Sequence, residues 1–176
     1  MASQILSKRN AHVLARFAAA DVLVALDYDG TLAPIVSTPR KARMRPRTRQ
    51  LLAAVAKRYP CVVISGRMRD DVTARVSSIP VWHVAGNHGL EPWGEQEAYA
   101  AKVRQWVTQL RRLLACEKAI YVGDDETDED AFAAGRADRL LSVRIGNARR
   151  SRAAYRLKDQ RQIDRFLRRL LALRSA

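Results

Sequence analysis

Val22-Leu23-Val24-Ala25-Leu26-Asp27-Tyr28-Asp29-Gly30-Thr31 sets an apolar run of strand length against two carboxylates, a glycine and a hydroxyl. Successive strand side chains point to opposite faces, so Asp27 and Asp29, one residue apart, are expected to face the same way and to share one metal ion. The same residues suit an acidic turn after a buried strand, because Asp-x-Asp-Gly is common in turns and calcium loops.

The functional reading of this stretch is phosphoryl transfer. A carboxylate attacking phosphorus forms an aspartyl-phosphate and splits one hard hydrolysis into two easier displacements. Carboxylate and phosphate ester repel each other, so a hard divalent cation with oxygen ligands, magnesium (Mg2+), is expected beside them. Asp27 is the candidate nucleophile. Asp29 is the candidate acid that protonates the leaving oxygen and the base that later deprotonates water. Gly30 allows a sharp turn, and the Thr31 hydroxyl can hold a phosphate oxygen.

Working outward, the same strand-then-polar-turn pattern repeats. Cys61–Ile64 runs into Ser65-Gly66-Arg67, and Val81–Ala85 into Gly86-Asn87-His88-Gly89-Leu90-Glu91. Ala119–Val122 runs into Gly123-Asp124-Asp125-Glu126-Thr127-Asp128-Glu129-Asp130, and Leu140–Ile145 ends at Gly146-Asn147. In open parallel sheets ligands bind beyond the carboxyl ends of strands, so such turns can converge on one site. Ser65 can donate to a transferred phosphoryl group, and Arg67 can bind phosphate or a sugar hydroxyl. Between Gly123 and Asp130 six of eight residues are acidic. Thr127 reads as the N-cap of a helix beginning at Asp128, which leaves Asp124 and Asp125 to be explained by a metal. Lys102 can screen Asp27 and stabilise phosphate charge.

Helical spacing is read in four other places. Ile5, Leu6, Val13, Leu14 and Phe17 fit one face of an N-terminal helix; Leu51, Leu52 and Val55 suggest a helix ending by Tyr59-Pro60. Apolar residues from Ala98 to Leu114 and from Ile163 to Leu171 mark two more. Arg40–Arg49, six of whose ten residues are basic, reads as an exposed loop with a second reading as a phosphate-attracting patch. Alternating strands and helices give an α/β class with a largely parallel sheet.

The 176 residues suit a single domain, 1–176, and carry a net charge of +14 that favours anionic partners. From Arg136 onward thirteen residues are basic and three acidic. Nucleic acid is retained as an alternative partner, although no duplex-reading motif or aromatic platform accompanies the charge. Cys61 and Cys116 read as small buried side chains. With no apolar run of transmembrane length and no signal-peptide core, the expectation is a cytoplasmic protein without membrane contact. Monomer and homo-oligomer both stay open.

Taken together, Asp27–Ile35, Ser65–Arg67, Gly86–Glu91 and Gly123–Phe132 resemble the trehalose-6-phosphate phosphatases of the haloacid dehalogenase-like superfamily. The resemblance implies a Rossmann-like three-layer α/β/α sandwich. It makes Asp27 nucleophile and metal ligand, and Asp29 acid/base and a ligand through its backbone carbonyl. Asp124 completes the magnesium site, with Asp128 in support or direct ligation. It places Thr31, Ser65, Gly66, Arg67, Asn87, His88 and Glu91 around the phosphate and sugar, and Lys102 as the catalytic lysine, although Val103 follows where the family has glycine. The family's cap domain is essentially missing, because only Pro92–Ala101 separate the Gly-Asn-His-Gly turn from the lysine helix. The implied activity is hydrolysis of trehalose 6-phosphate, a small-molecule sugar phosphate. The alternatives are a capless phosphatase acting on another sugar phosphate or on phosphorylated nucleic acid or protein, and a non-catalytic regulatory remnant.

Overall fold

The computed structural model describes residues 2–87, 111–112, 114–147 and 149–174. Its strands are β1 (Ser3–Gln4), β2 (Val22–Asp27), β3 (Cys61–Ile64), β4 (His83–Ala85), β5 (Lys118–Gly123), β6 (Leu140–Ile145) and β7 (Tyr155–Leu157). The helices are α1 (Ala11–Ala18), α2 (Pro46–Ala56), α3 (Arg69–Val76), α4 (Asp128–Ala134) and α5 (Ile163–Arg174). The strands form one sheet in the order β1-β7-β6-β5-β2-β3-β4, and every pairing is parallel.

A parallel sheet needs cover on both faces, which is why its strands are apolar throughout rather than alternating with polar residues. Val22, Val24 and Leu26 of β2 join the core shared with α1, α2 and α5, including Phe17, Leu52, Phe166 and Leu170. Leu23 and Ala25 face the opposite, smaller core with Tyr121, Ala131 and Phe132. This layering bears out the α/β sandwich. Cys61 is buried in β3, and burial pushes its thiol up to about 12.

The interior position of β2, beside the middle strand β5, matters most. From β2 the chain moves outward to β3 and β4, then returns to lay β5 on the other flank of β2. Neighbouring crossovers leave β2 and β5 in opposite directions, and a crevice opens at their carboxyl ends. Asp27 ends β2 and Asp124 follows β5, so topology alone brings the two acidic turns together.

Several expectations need correction. Ile5 and Leu6 do not belong to the first helix: Ser3 and Gln4 pair with Tyr155 and Arg156 as an edge strand, and α1 starts only at Ala11. Arg40–Arg49 is not simply a loop, because Pro46, which needs no N–H bond there, opens α2. Within that stretch Ala42, Met44 and Thr48 are buried, and the Thr48 hydroxyl donates to Asp164 at 2.6 Å. Arg45 pairs with the same Asp164 at 3.3 Å, so part of the basic charge fastens α2 to α5. Helix α3 and strand β7 were not anticipated; both are short, and α3 carries only Val72 and Val76 as buried aliphatics. The third strand is shorter than expected, beginning at His83. No described helix is long and apolar enough to cross a membrane.

Candidate active site at the carboxyl edge of the sheet

Asp27 continues the alternation of β2 on the Leu23 and Ala25 face. The residue is half-buried, but its Oδ2 is fully buried and has no hydrogen-bond partner among the described residues. One oxygen each from Asp27, Asp124 and Asp128 lie within 4.8 Å of one another. Glycines make this approach possible. A Cβ on Gly30 would fall 2.0 Å from the Asp124 carboxylate, and one on Gly123 would fall 2.2 Å from that of Asp128. Gly30 also has φ +76°, a conformation other residues adopt at a cost.

Asp128 is the most firmly held of the three. Its Oδ1 accepts from the Tyr121 hydroxyl at 2.8 Å, and its Oδ2 from the backbone N–H groups of Asp124 and Asp125 at 2.8 and 3.1 Å. Tyr121 is itself fixed edge-on against Phe132, with ring centroids 5.8 Å apart. Three crowded carboxylates in a partly dry crevice resist ionisation. Burial first, and then the charges of Asp128 and Asp124, push Asp27 well above the ordinary carboxylate range. Burial and the Asp125 charge raise Asp124 to about 6 and Asp128 to about 7.

These residues fit a hard divalent cation. All donors are carboxylate oxygens, Asp27 Oδ2 is buried without a partner, and a cation relieves the mutual repulsion while leaving the carboxylates ionised. Among the described residues no cation of the protein takes that place: Arg144 is spent on Glu129 at 2.5 Å and on the Asp125 carbonyl at 2.9 Å.

The other expected residues divide into three groups. Ser65 is buried at the end of β3, its N–H on the Ala85 carbonyl at 3.0 Å and its Oγ accepting from the Arg67 N–H at 3.3 Å. Gly66 lies in the same turn, and Asn87, at φ +50°, donates its N–H to the Arg67 carbonyl at 2.5 Å. The second group stands apart from the trio. Asp29 lies beyond the end of β2, outside the carboxylate trio, and is held by Arg67. Thr31 is fully buried, its Oγ1 without a partner among the described residues, and its carbonyl accepts from Gln160 at 2.8 Å. Asp125 belongs to the helix start rather than the trio: its Oδ1 accepts from the N–H groups of Thr127 and Asp128 at 2.8 and 3.2 Å. Thr127 makes no side-chain capping bond, so the acid two residues earlier does the work assigned to it. His88, Glu91 and Lys102 form the third group and lie outside the described residues.

Tyr121, which holds Asp128, was missed. A tyrosine inside an otherwise aliphatic strand was the available signal, since a buried hydroxyl needs a partner.

The chain resembles known proteins in sequence and in fold. The trehalose-phosphatase family model matches residues 25–110. A probable trehalose-phosphate phosphatase of Oryza sativa subsp. japonica is 42% identical over 81 residues, covering 46% of this chain and 21% of the relative. A second, from Arabidopsis thaliana, gives the same identity and coverage over 81 residues. The chain thus spans about a fifth of the length of the curated relatives it matches. Among solved structures, Aspergillus fumigatus trehalose-6-phosphate phosphatase superposes with a TM-score of 0.71 at 18% identity, covering 98% of this chain and 99% of that one. The 3-deoxy-D-manno-octulosonate 8-phosphate phosphatase of Moraxella catarrhalis, solved with magnesium, phosphate and KDO, gives 0.69 at 16% identity, covering 95% and 93%. The motif resemblance to trehalose phosphatases is therefore shown for residues 25–110, within a fold that is haloacid dehalogenase-like.

Proposed function

We propose that this chain is a magnesium-dependent phosphoric monoester hydrolase that cleaves trehalose 6-phosphate through an aspartyl-phosphate on Asp27. The observation that carries the reading is Asp27 Oδ2, buried and unpartnered at the carboxyl end of β2, in a trio with Asp124 and Asp128. Folding normally satisfies buried polar atoms, so an unsatisfied carboxylate oxygen in a crevice points to a reacting group. The matched trehalose-phosphatase region includes this residue.

Asp27, Asp124 and Asp128 would hold the cation. When bound, it screens the repulsion between carboxylates and phosphate and lets Asp27 stay ionised. The Asp27 carboxylate attacks phosphorus, and the ester P–O bond breaks as Asp29 supplies a proton to the departing sugar oxygen. Ser65 donates its hydroxyl to the phosphoryl oxygens. Water then attacks the phosphoenzyme, Asp29 accepts its proton, and the bond to Asp27 breaks to release phosphate. Lys102 takes the charge-stabilising role on phosphate.

The test is phosphate release from trehalose 6-phosphate with magnesium, beside a 3′-phosphorylated oligonucleotide. The expected result is turnover of the sugar phosphate, abolished in Asp27→Asn. Strong preference for the oligonucleotide removes the sugar-phosphate assignment, and an intact chain inert toward both removes catalysis.

A further inference from the structure

Arg67 stands where the sequence suggests a contact with phosphate or sugar, yet in the fold its guanidinium is already occupied. Nε donates to Asp29 Oδ2 at 2.6 Å and Nη2 to Asp29 Oδ1 at 2.8 Å. Nη1 donates to Asp71 Oδ2 at 2.9 Å, and Nη2 also to the Pro39 carbonyl at 2.6 Å. Four of the five N–H groups of the fork are thereby directed at protein acceptors.

The pairing is braced from behind. Asp71 Oδ1 accepts from Arg75 Nε at 2.9 Å, and Arg75, itself buried, donates to the carbonyls of Ala42 and Arg40. The ring of Tyr28, between the two catalytic aspartates in sequence, meets both guanidinium groups, at 5.9 Å from Arg67 and 5.8 Å from Arg75. The result is a ladder, Asp29–Arg67–Asp71–Arg75, running from the turn after β2 along α3. An isolated exposed ion pair contributes little, but a bidentate fork with a fixed far side sets direction as well as charge.

We propose that Arg67, braced by Asp71 and Arg75, is the positioning residue of Asp29 and serves the second half of the reaction, hydrolysis of the Asp27 phosphoenzyme. This rests on the phosphatase reading above. A guanidinium fork grips a carboxylate through both oxygens and leaves each oxygen a lone pair. Held so, Asp29 is set to take a proton. In that step water oxygen bonds to phosphorus, its proton passes to an Asp29 lone pair, and the P–O bond to Asp27 breaks. The electron pair returns to the Asp27 carboxylate, and inorganic phosphate leaves. A misplaced base slows this step while leaving attack by Asp27 on a good substrate intact.

p-Nitrophenyl phosphate separates the two halves, because p-nitrophenolate leaves without needing a proton. Stopped-flow mixing of Arg67→Ala with this ester and magnesium should give a burst near one p-nitrophenol per chain. A steady rate slower than wild type by about 100-fold should follow. Intact mass spectrometry should then find one phosphoryl group per chain, absent from Asp27→Asn/Arg67→Ala. Asp71→Asn should act in the same direction by about tenfold, and Arg67→Lys should recover part of the loss.

An unchanged steady rate overturns the inference. So does a rise in KM alone, which restores Arg67 to substrate binding. Burst and steady rate falling together with a lowered melting temperature make the ladder merely structural. A wild-type chain that yields no p-nitrophenol overturns the phosphatase reading and this inference with it, whereas normal wild-type turnover beside unchanged variants overturns this inference alone.

Discussion

The two acidic turns that meet at the carboxyl edge of the sheet are built on opposite plans. After β5, folding uses four of the six acids: Asp125 caps α4, Asp128 collects three donors, Glu129 pairs with Arg144 while accepting the Arg152 N–H at 2.6 Å, and Asp130 lies 3.7 Å from Arg152. After β2, Asp29 is clamped by Arg67, but Asp27 is left with an unpartnered buried oxygen. Charge density marks the first turn more strongly; unsatisfied valence marks the second. The residue that folding leaves unserved is the better guide to chemistry.

The sharpest way to break this contrast is at Asp27 itself. Asp27→Asn should reduce phosphate release by more than about a thousandfold, as removal of a covalent nucleophile does. The same change should raise the melting temperature in metal-free buffer at neutral pH, because it removes one of three repelling carboxylates. A variant that loses stability there would show that Asp27 supports the fold.

Gly30→Ala comes next. Its added methyl meets the Asp124 carboxylate, and φ +76° alone costs about 1–2 kcal/mol. Calorimetric titration should find magnesium binding weakened together with stability; unaltered binding would mean that the Gly30 turn does not shape the trio.

Acid titration probes the trio as a unit. Asp124 and Asp128, raised to about 6 and about 7, hold protons more tightly folded than unfolded, where carboxylates titrate near about 4. The stability they lend is full below the unfolded value and is lost as pH rises through the folded values. Without metal, the melting temperature should therefore decline between about pH 4 and 7 from this source. Saturating magnesium should flatten the decline, and a slope indifferent to magnesium would count against a shared cation.

The smallest expected effect lies in the well-served turn. Asp125→Ala should cost about 1 kcal/mol in chemical denaturation through loss of the α4 cap, while Thr127→Val costs less. The reverse order would return the cap to Thr127.

The comparison also explains what was legible. The buried strands announced themselves because a parallel sheet covered on both faces demands unbroken apolar runs, as in Val22–Leu26 and Cys61–Ile64. Asp27, Ser65 and Asp124 followed from their places at strand ends. What stayed hidden depends on partners distant in sequence. Nothing local distinguishes Arg67 bound to Asp29 from Arg67 bound to phosphate. Nor does spacing reveal that Asp164 in α5 gathers Arg45 and Thr48, or that β7 is recruited by β6 on one side and by Ser3 and Gln4 on the other.

The interior placing of β2 also bears on the time course of folding. Val22 pairs with Lys118, and Leu26 with Val122, so this strand waits for a segment distant in sequence. Such non-local parallel pairings are slow to form, because chain entropy is lost before contacts compensate it. β2, β3 and β4 can associate early, yet that intermediate lacks both Asp124 and Asp128. During refolding, recovery of magnesium binding should lag behind recovery of helical signal, making metal affinity a clock for the docking of β5.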